Sequence, residues 1–113
     1  MSKFIDRDIN RTIAAAHSLG MSNIEKNVTG PNRWRFHIKA VHHNRTILMA
    51  FDPRHRPTGG ARPERIISFL AKKDWAESNG YDFYSPSRYH TTPADARYAL
   101  QKWMRKNGMA TLR

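Results

Sequence analysis

Arg33, Arg35, His37 and Lys39 alternate with Trp34, Phe36 and Ile38 in one unbroken run. Cations repeated on every second residue suit phosphate binding, because a guanidinium can grip two phosphate oxygens at once and an ammonium or imidazolium adds a point charge. In an extended strand successive side chains point to opposite faces, so these four form a ladder with a repeat of about 6.6 Å, twice the strand rise. Trp34, Phe36 and Ile38 are left to join a core. His43 and Arg45 follow, and no acid occurs between Arg33 and Phe51. A merely solvated strand mixes its signs, because like charges side by side on a sheet cost energy, so an acid-free face points to a polyanion.

A second candidate is the stretch from Arg54 to Arg62, with Arg54, Arg56 and Arg62 around Gly59-Gly60. Adjacent glycines can turn several N–H groups toward one anion, and the following helix would bring its positive end close by. No Gly-Lys-Ser/Thr follows, so this is no nucleotide-hydrolysing loop. A third surface is the last helix, where Lys102, Arg105 and Lys106 surround an apolar stripe.

The six histidines do not fall into a metal-binding spacing. No His-Glu-x-x-His is present, and His42 and His43, being adjacent, would face opposite ways in a strand. They read instead as surface donors that gain charge below about pH 6.5. Neither a metal nor a cofactor is expected. The acids Asp52, Glu64, Asp74 and Glu77 are dispersed, which disfavours metal-dependent cleavage. His37 beside Arg35 and Lys39 could supply the base of a metal-independent ribonuclease, although a histidine within a basic face is more often one further phosphate contact.

Positioning these residues requires a small set of elements. Ile5, Ile9, Ile13 and Ala16 recur at helical spacing, and Gly20 suits a helix end, which predicts a helix over 6–19. A short strand over 23–29, a turn at Gly30-Pro31-Asn32, the alternating strand over 33–41 and a strand over 45–51 follow, with His42-His43-Asn44 as the hairpin connection. Ile47, Met49 and Phe51 are the inward residues of that last strand. Pro63 opens a helix running to about Trp75, and Asn79-Gly80 stops it. The segment 81–90 holds tyrosines without a clear period. Thr92, Pro93 and Asp95 then mark N-cap, first-turn and N3 positions of a final helix ended by Gly108. The expected fold is α+β: one small domain, a three-stranded antiparallel sheet packed against helices, order α-β-β-β-α-α, with 79–113 having the character of a C-terminal helical extension.

Composition sets the frame. The chain has 113 residues, no cysteine and a formal net charge of +11, with 39% hydrophobic residues. That is one domain with a modest core, without disulfides or thiolate sites, as suits the cytoplasm. Nothing approaches the roughly 20 apolar residues of a membrane span, and the start of the chain lacks a signal-type apolar run. The expected partner is a nucleic acid, DNA or RNA, for a small basic protein of the phage or mobile-element type. Its affinity would come chiefly from counterion release, with a slope of log affinity on log salt of roughly −5 if six phosphates are engaged. The alternative is a protein-interaction module that modulates a host nucleic-acid enzyme, docking through Tyr81 to Tyr89 and the terminal helix.

The segment from Asn32 to Asp52 resembles the AP2-type and integrase-arm DNA-binding domains, in which a Trp-containing basic strand is followed by a turn and a second strand ending near Phe-Asp. That resemblance implies a three-stranded sheet in a DNA major groove, with readout by Arg33, Arg35, His37 and Lys39. It departs at Pro53 to Arg62, which intervenes where the family has its helix almost at once. The leading helix is more similar to small toxin ribonucleases of the HicA type, whose α-β-β-β-α order is akin to double-stranded RNA-binding domains. That likeness would make His37 catalytic, but the family's Gly-Ser-His-His is replaced here by Trp34-Arg35-Phe36-His37.

Overall fold

The computed structural model describes residues 2–29, 35–52, 63–86 and 92–111; the side chains of 2–6, 28–29, 35–36 and 65 fall outside that description. Helix α1 (Ser2–Ser18) leads into β1 (Ser22–Thr29), β2 (Arg35–His42) and β3 (Arg45–Met49), followed by α2 (Pro63–Ser78), β4 (Asp82–Tyr84) and α3 (Pro93–Lys106). The four strands form one sheet in the order β1-β2-β3-β4. β1, β2 and β3 are an antiparallel meander, and β4 runs parallel to β3.

The expected three-stranded antiparallel sheet is therefore a four-stranded mixed one, and the order is α-β-β-β-α-β-α. The added strand is only three residues long, Asp82–Tyr84, too short to show an alternation in the sequence. Parallel neighbours cannot be joined by a hairpin, and α2 is the crossover that lets β4 lie beside β3.

β3 governs the layering. Ile47 and Met49 point to one face and join Ile38 and Ala40 of β2, Tyr84 of β4, Ile9 and Ala16 of α1, Leu19 just after it, and Leu100 and Met104 of α3 in one buried cluster. Leu48, between them, points the other way and is also fully buried. Its register partner on β4 is Phe83, whose ring meets Phe69 of α2 edge-on at 5.5 Å between centroids. Helices α1 and α3 thus cover one face of the sheet and α2 the other. A strand buried on both faces reads as a continuous apolar run, and Ile47-Leu48-Met49-Ala50 is one. The inward set on β3 is wider than strict alternation suggested. Phe51 follows the strand and packs half-buried against the main cluster.

The helix signals work as local chemistry predicts. The Thr92 hydroxyl oxygen accepts the Asp95 N–H at 3.2 Å, with Pro93 opening the first turn. Gly20 and Gly108 end α1 and α3 at φ of +92° and +75°, a left-handed conformation in which most side chains are strained. α2 runs one turn further than expected, through Trp75 to Ser78. β4 is an edge strand of the sheet, and Ala96, Leu100 and Met104 of α3 are buried.

This layering makes a direct prediction. If α2 covers the outer face of β3, Leu48→Ala removes fully buried methyl groups and destabilises the domain by about 2–5 kcal/mol. Urea unfolding measures it; a loss within the roughly 0.5 kcal/mol typical of surface substitutions would place Leu48 in solvent.

Candidate nucleic-acid interface

α2 packs against β4, and on the same side of the sheet Glu25 and Asn27 of β1 are exposed. The outer face of β1 and β2 forms a shelf that is open over β1 and partly covered over β2. His37 and Lys39 stand on it, half-buried, with Asn27 and Glu25 of β1 opposite them in register. Lys72 of α2 adds charge from the side: together with Lys39 it acts electrostatically on His37. The Lys39 ammonium lies 6.0 Å from the centroid of the Tyr81 ring. Tyr81 in turn meets Trp75 edge-on, 5.5 Å between centroids at 80°. The shelf is thus floored by β1 and β2 and walled by cationic and aromatic side chains from α2 and the turn after it.

The electrostatics follow from this crowding. His37 is held below its usual value of 6.5, first by burial, then by Lys72 and Lys39, with Glu25 opposing. A neutral imidazole between two ammonium groups is the low-energy arrangement while no anion is present. Among the described residues His37 has no hydrogen bond to orient its ring, whereas a catalytic base is normally oriented by a third group.

The expected site residues separate into distinct environments. His37 and Lys39 are brought together as the strand pattern predicts. Arg35 belongs to β2, but its side chain, like the whole of Arg33, Trp34, Arg54, Arg56 and Arg62, lies outside the described residues. His43 is exposed at the hairpin tip, at a φ of 56°, with its ring against that of His42. Arg45 is engaged within the protein: its Nε and Nη2 donate to the two Asp82 oxygens at 2.9 and 2.8 Å, and its Nη1 donates to the Asn107 carbonyl at 2.7 Å. Lys102, Arg105 and Lys106 are exposed on α3, across the sheet from the shelf.

One histidine departs from its expected surface role. His42 is buried, its Nε2–H donating to the Ala110 carbonyl, while Nδ1 is enclosed without a hydrogen-bond partner among the described residues. The even position of His42 on β2 puts it on the core face with Ile38 and Ala40, where it ties the hairpin to the end of the chain.

Sequence reasoning missed Lys72 and Trp75. The signal for Lys72 was its spacing: it sits three residues after Phe69 and four before Ala76, both buried, so it lies along the sheet-facing side of α2. Trp75 was read as a helix end. On the other flank of α2, Asp52, Lys73, Glu77, Tyr81 and Asp82 line a cavity of about 410 Å³. Its carboxylates make it a poor place for a polyanion. Among the described residues no group of three or more His, Asp or Glu is arranged to hold a metal ion, and no helix is long and apolar enough to cross a membrane.

Comparison with known proteins found no matching family model, no matching curated protein and no matching solved structure.

The depressed basicity of His37 has a measurable consequence. Just below pH 6.5 the unfolded chain binds a proton at this position that the folded chain does not. The contribution of His37 to stability is therefore complete above about pH 6.5 and is lost as the pH falls through 6.5 to the lower folded value. Urea unfolding of the native protein and His37→Gln at pH 7.5 and 5.5 should show a shallower loss of stability in the variant. An unchanged pH profile would mean that the imidazole is not held neutral by its neighbours.

Proposed function

We propose that this protein binds nucleic acid through the β1–β2 shelf, with His37, Lys39 and Lys72 contacting the sugar-phosphate backbone. The observation that carries the reading is that side chains from two separate elements, β2 and α2, act on one another at the same half-exposed face of the sheet. Arg35 on the same strand and the Arg54 to Arg62 segment extend the set of cations in sequence. The net charge of +11 supplies a long-range field that steers a polyanion toward the surface. Lys102, Arg105 and Lys106 belong to the opposite side of the sheet and form no part of this contact.

A second reading, docking to another protein, is favoured by one observation. Ile67 and Leu70 on the outward side of α2 remain 67% and 40% exposed. That surface offers one docking patch, and Tyr98 of the terminal helix, 66% exposed, offers another. An Ile67→Lys, Leu70→Lys double variant that keeps full nucleic-acid affinity would separate the α2 patch from the shelf.

Fluorescence-anisotropy titration of a labelled oligonucleotide across salt concentrations tests the primary reading. Log affinity should fall linearly with log salt, and Lys39→Ala and Lys72→Ala should each flatten the slope by roughly 1. Affinity should also rise as the pH is lowered, because a phosphate beside His37 offsets the repulsion from Lys39 and Lys72 and favours its proton. That rise should be smaller in His37→Gln. A salt-independent affinity, or full affinity in the Lys39→Ala, Lys72→Ala double variant, overturns the proposal.

A further inference from the structure

Trp75 is 48% exposed, an unusual state for the largest apolar side chain, and its surroundings differ from those of the other exposed apolar residues of α2. Its helical neighbours three and four positions away are Ala71, Lys72, Ser78 and Asn79, none of them acidic. Leu70, by contrast, has Asp74 four residues on, and Ile67 has Glu64 three residues before it. The indole is therefore on the cationic flank of the helix, adjacent to Lys72. It is also held in place: Tyr81 meets it edge-on at 5.5 Å, and Tyr81 lies beneath the Lys39 ammonium at 6.0 Å. An exposed aromatic ring, fixed by a second ring that Lys39 approaches and lying on the same helix flank as Lys72, combines a stacking surface with nearby cations.

The geometry points to single-stranded nucleic acid as the ligand of the shelf, with an unpaired base stacking on Trp75; this rests on the polyanion reading above. Stacking requires a base whose face is free, which a duplex does not offer without being opened. The wall formed by α2 works in the same direction. A major groove about 12 Å wide admits a two-stranded ribbon or a helix of about 10–12 Å diameter, but not the β1–β2 ribbon with α2 standing beside it. Two strands about 4.8 Å apart make a narrow shelf, suited to one sugar-phosphate chain. The backbone then tracks His37 and Lys39 while a base turns aside onto the indole.

The test compares three ligands of equal length, about fifteen nucleotides: a thymidine homopolymer, an abasic strand with the same phosphates, and a duplex. The native protein should prefer the thymidine strand to both others. Trp75→Leu should weaken thymidine-strand binding about 5- to 150-fold, the range expected for losing one stacked base, and leave abasic-strand binding unchanged. Trp75→Phe should recover most of the loss, which a variant that merely unfolds would not. Lys39→Ala should weaken thymidine and abasic strands alike. If thymidine and abasic strands bind equally and Trp75→Leu changes neither, stacking is refuted while the phosphate site stands, provided Lys39→Ala still weakens both. A native protein that prefers the duplex also refutes it. If none of the ligands binds even at low salt, the polyanion reading itself fails, and this inference with it.

Discussion

The burial of β3 on both of its faces is the constraint from which the rest of this architecture follows. Ile47 and Met49 require cover on one side and Leu48 on the other, so a meander backed by helices on a single face cannot satisfy the chain. α1 and α3 supply the first cover and α2 the second. Because α2 must also deliver the chain to β4, parallel to β3, it is confined to that edge of the sheet. On the α2 side β1 is left exposed at Glu25 and Asn27, and β2 is half-covered at His37 and Lys39. The shelf is what remains after the apolar residues of β3 have been satisfied.

A second set of contacts keeps the hairpin and the end of the chain in register with each other. Arg45 begins β3 and reaches Asp82 at the start of β4 and the Asn107 carbonyl beyond α3. His42, at the end of β2, donates to the Ala110 carbonyl. Both residues belong to the basic segment of the sequence, yet their polar atoms face protein groups. Tyr84 belongs to the same core: its ring lies 5.0 Å from that of Trp103, and burial pushes its hydroxyl up to about 12, so it is neutral at any physiological pH. Residue type alone thus does not say which cations serve a ligand and which serve the fold; position on the strand and the nearest acid decide it.

Local chemistry was legible in the sequence and tertiary chemistry was not. The caps of α3, the glycines that end helices and the alternation of β2 each depend on a few neighbouring residues, and each is where the spacing puts it. β4 could not be read, because Asp82, Phe83 and Tyr84 are too few to show a period and are a strand only by virtue of β3 beside them. The continuous run Ile47 to Ala50 carries the message that β3 is covered twice, but Ile47, Met49 and Phe51 match the preceding strand so well that simple alternation hides it. Within the shelf, His37 and Lys39 came from sequence alone, since strand alternation fixes their face. Lys72 and Trp75 needed the placement of α2, which depends on the contact between Phe69 and Phe83, far apart in sequence.

The charge state of the shelf links its stability to its proposed use. Gathering Lys39, Lys72 and an imidazolium on one half-buried surface would be costly, and Glu25 of β1 opposes the effect of the two ammonium groups on His37. Keeping His37 neutral relieves that crowding without giving up a donor, since the imidazole can recover its charge when an anion arrives. Acidic groups, meanwhile, line the cavity on the other flank of α2, with Asp82 neutralising Arg45. α2 therefore has a mainly cationic flank with the exposed indole toward β2, and a flank toward β4 where Asp52, Glu77 and Asp82 outnumber Lys73. The proposed polyanion contact is therefore confined to the flank of the helix that carries Lys72.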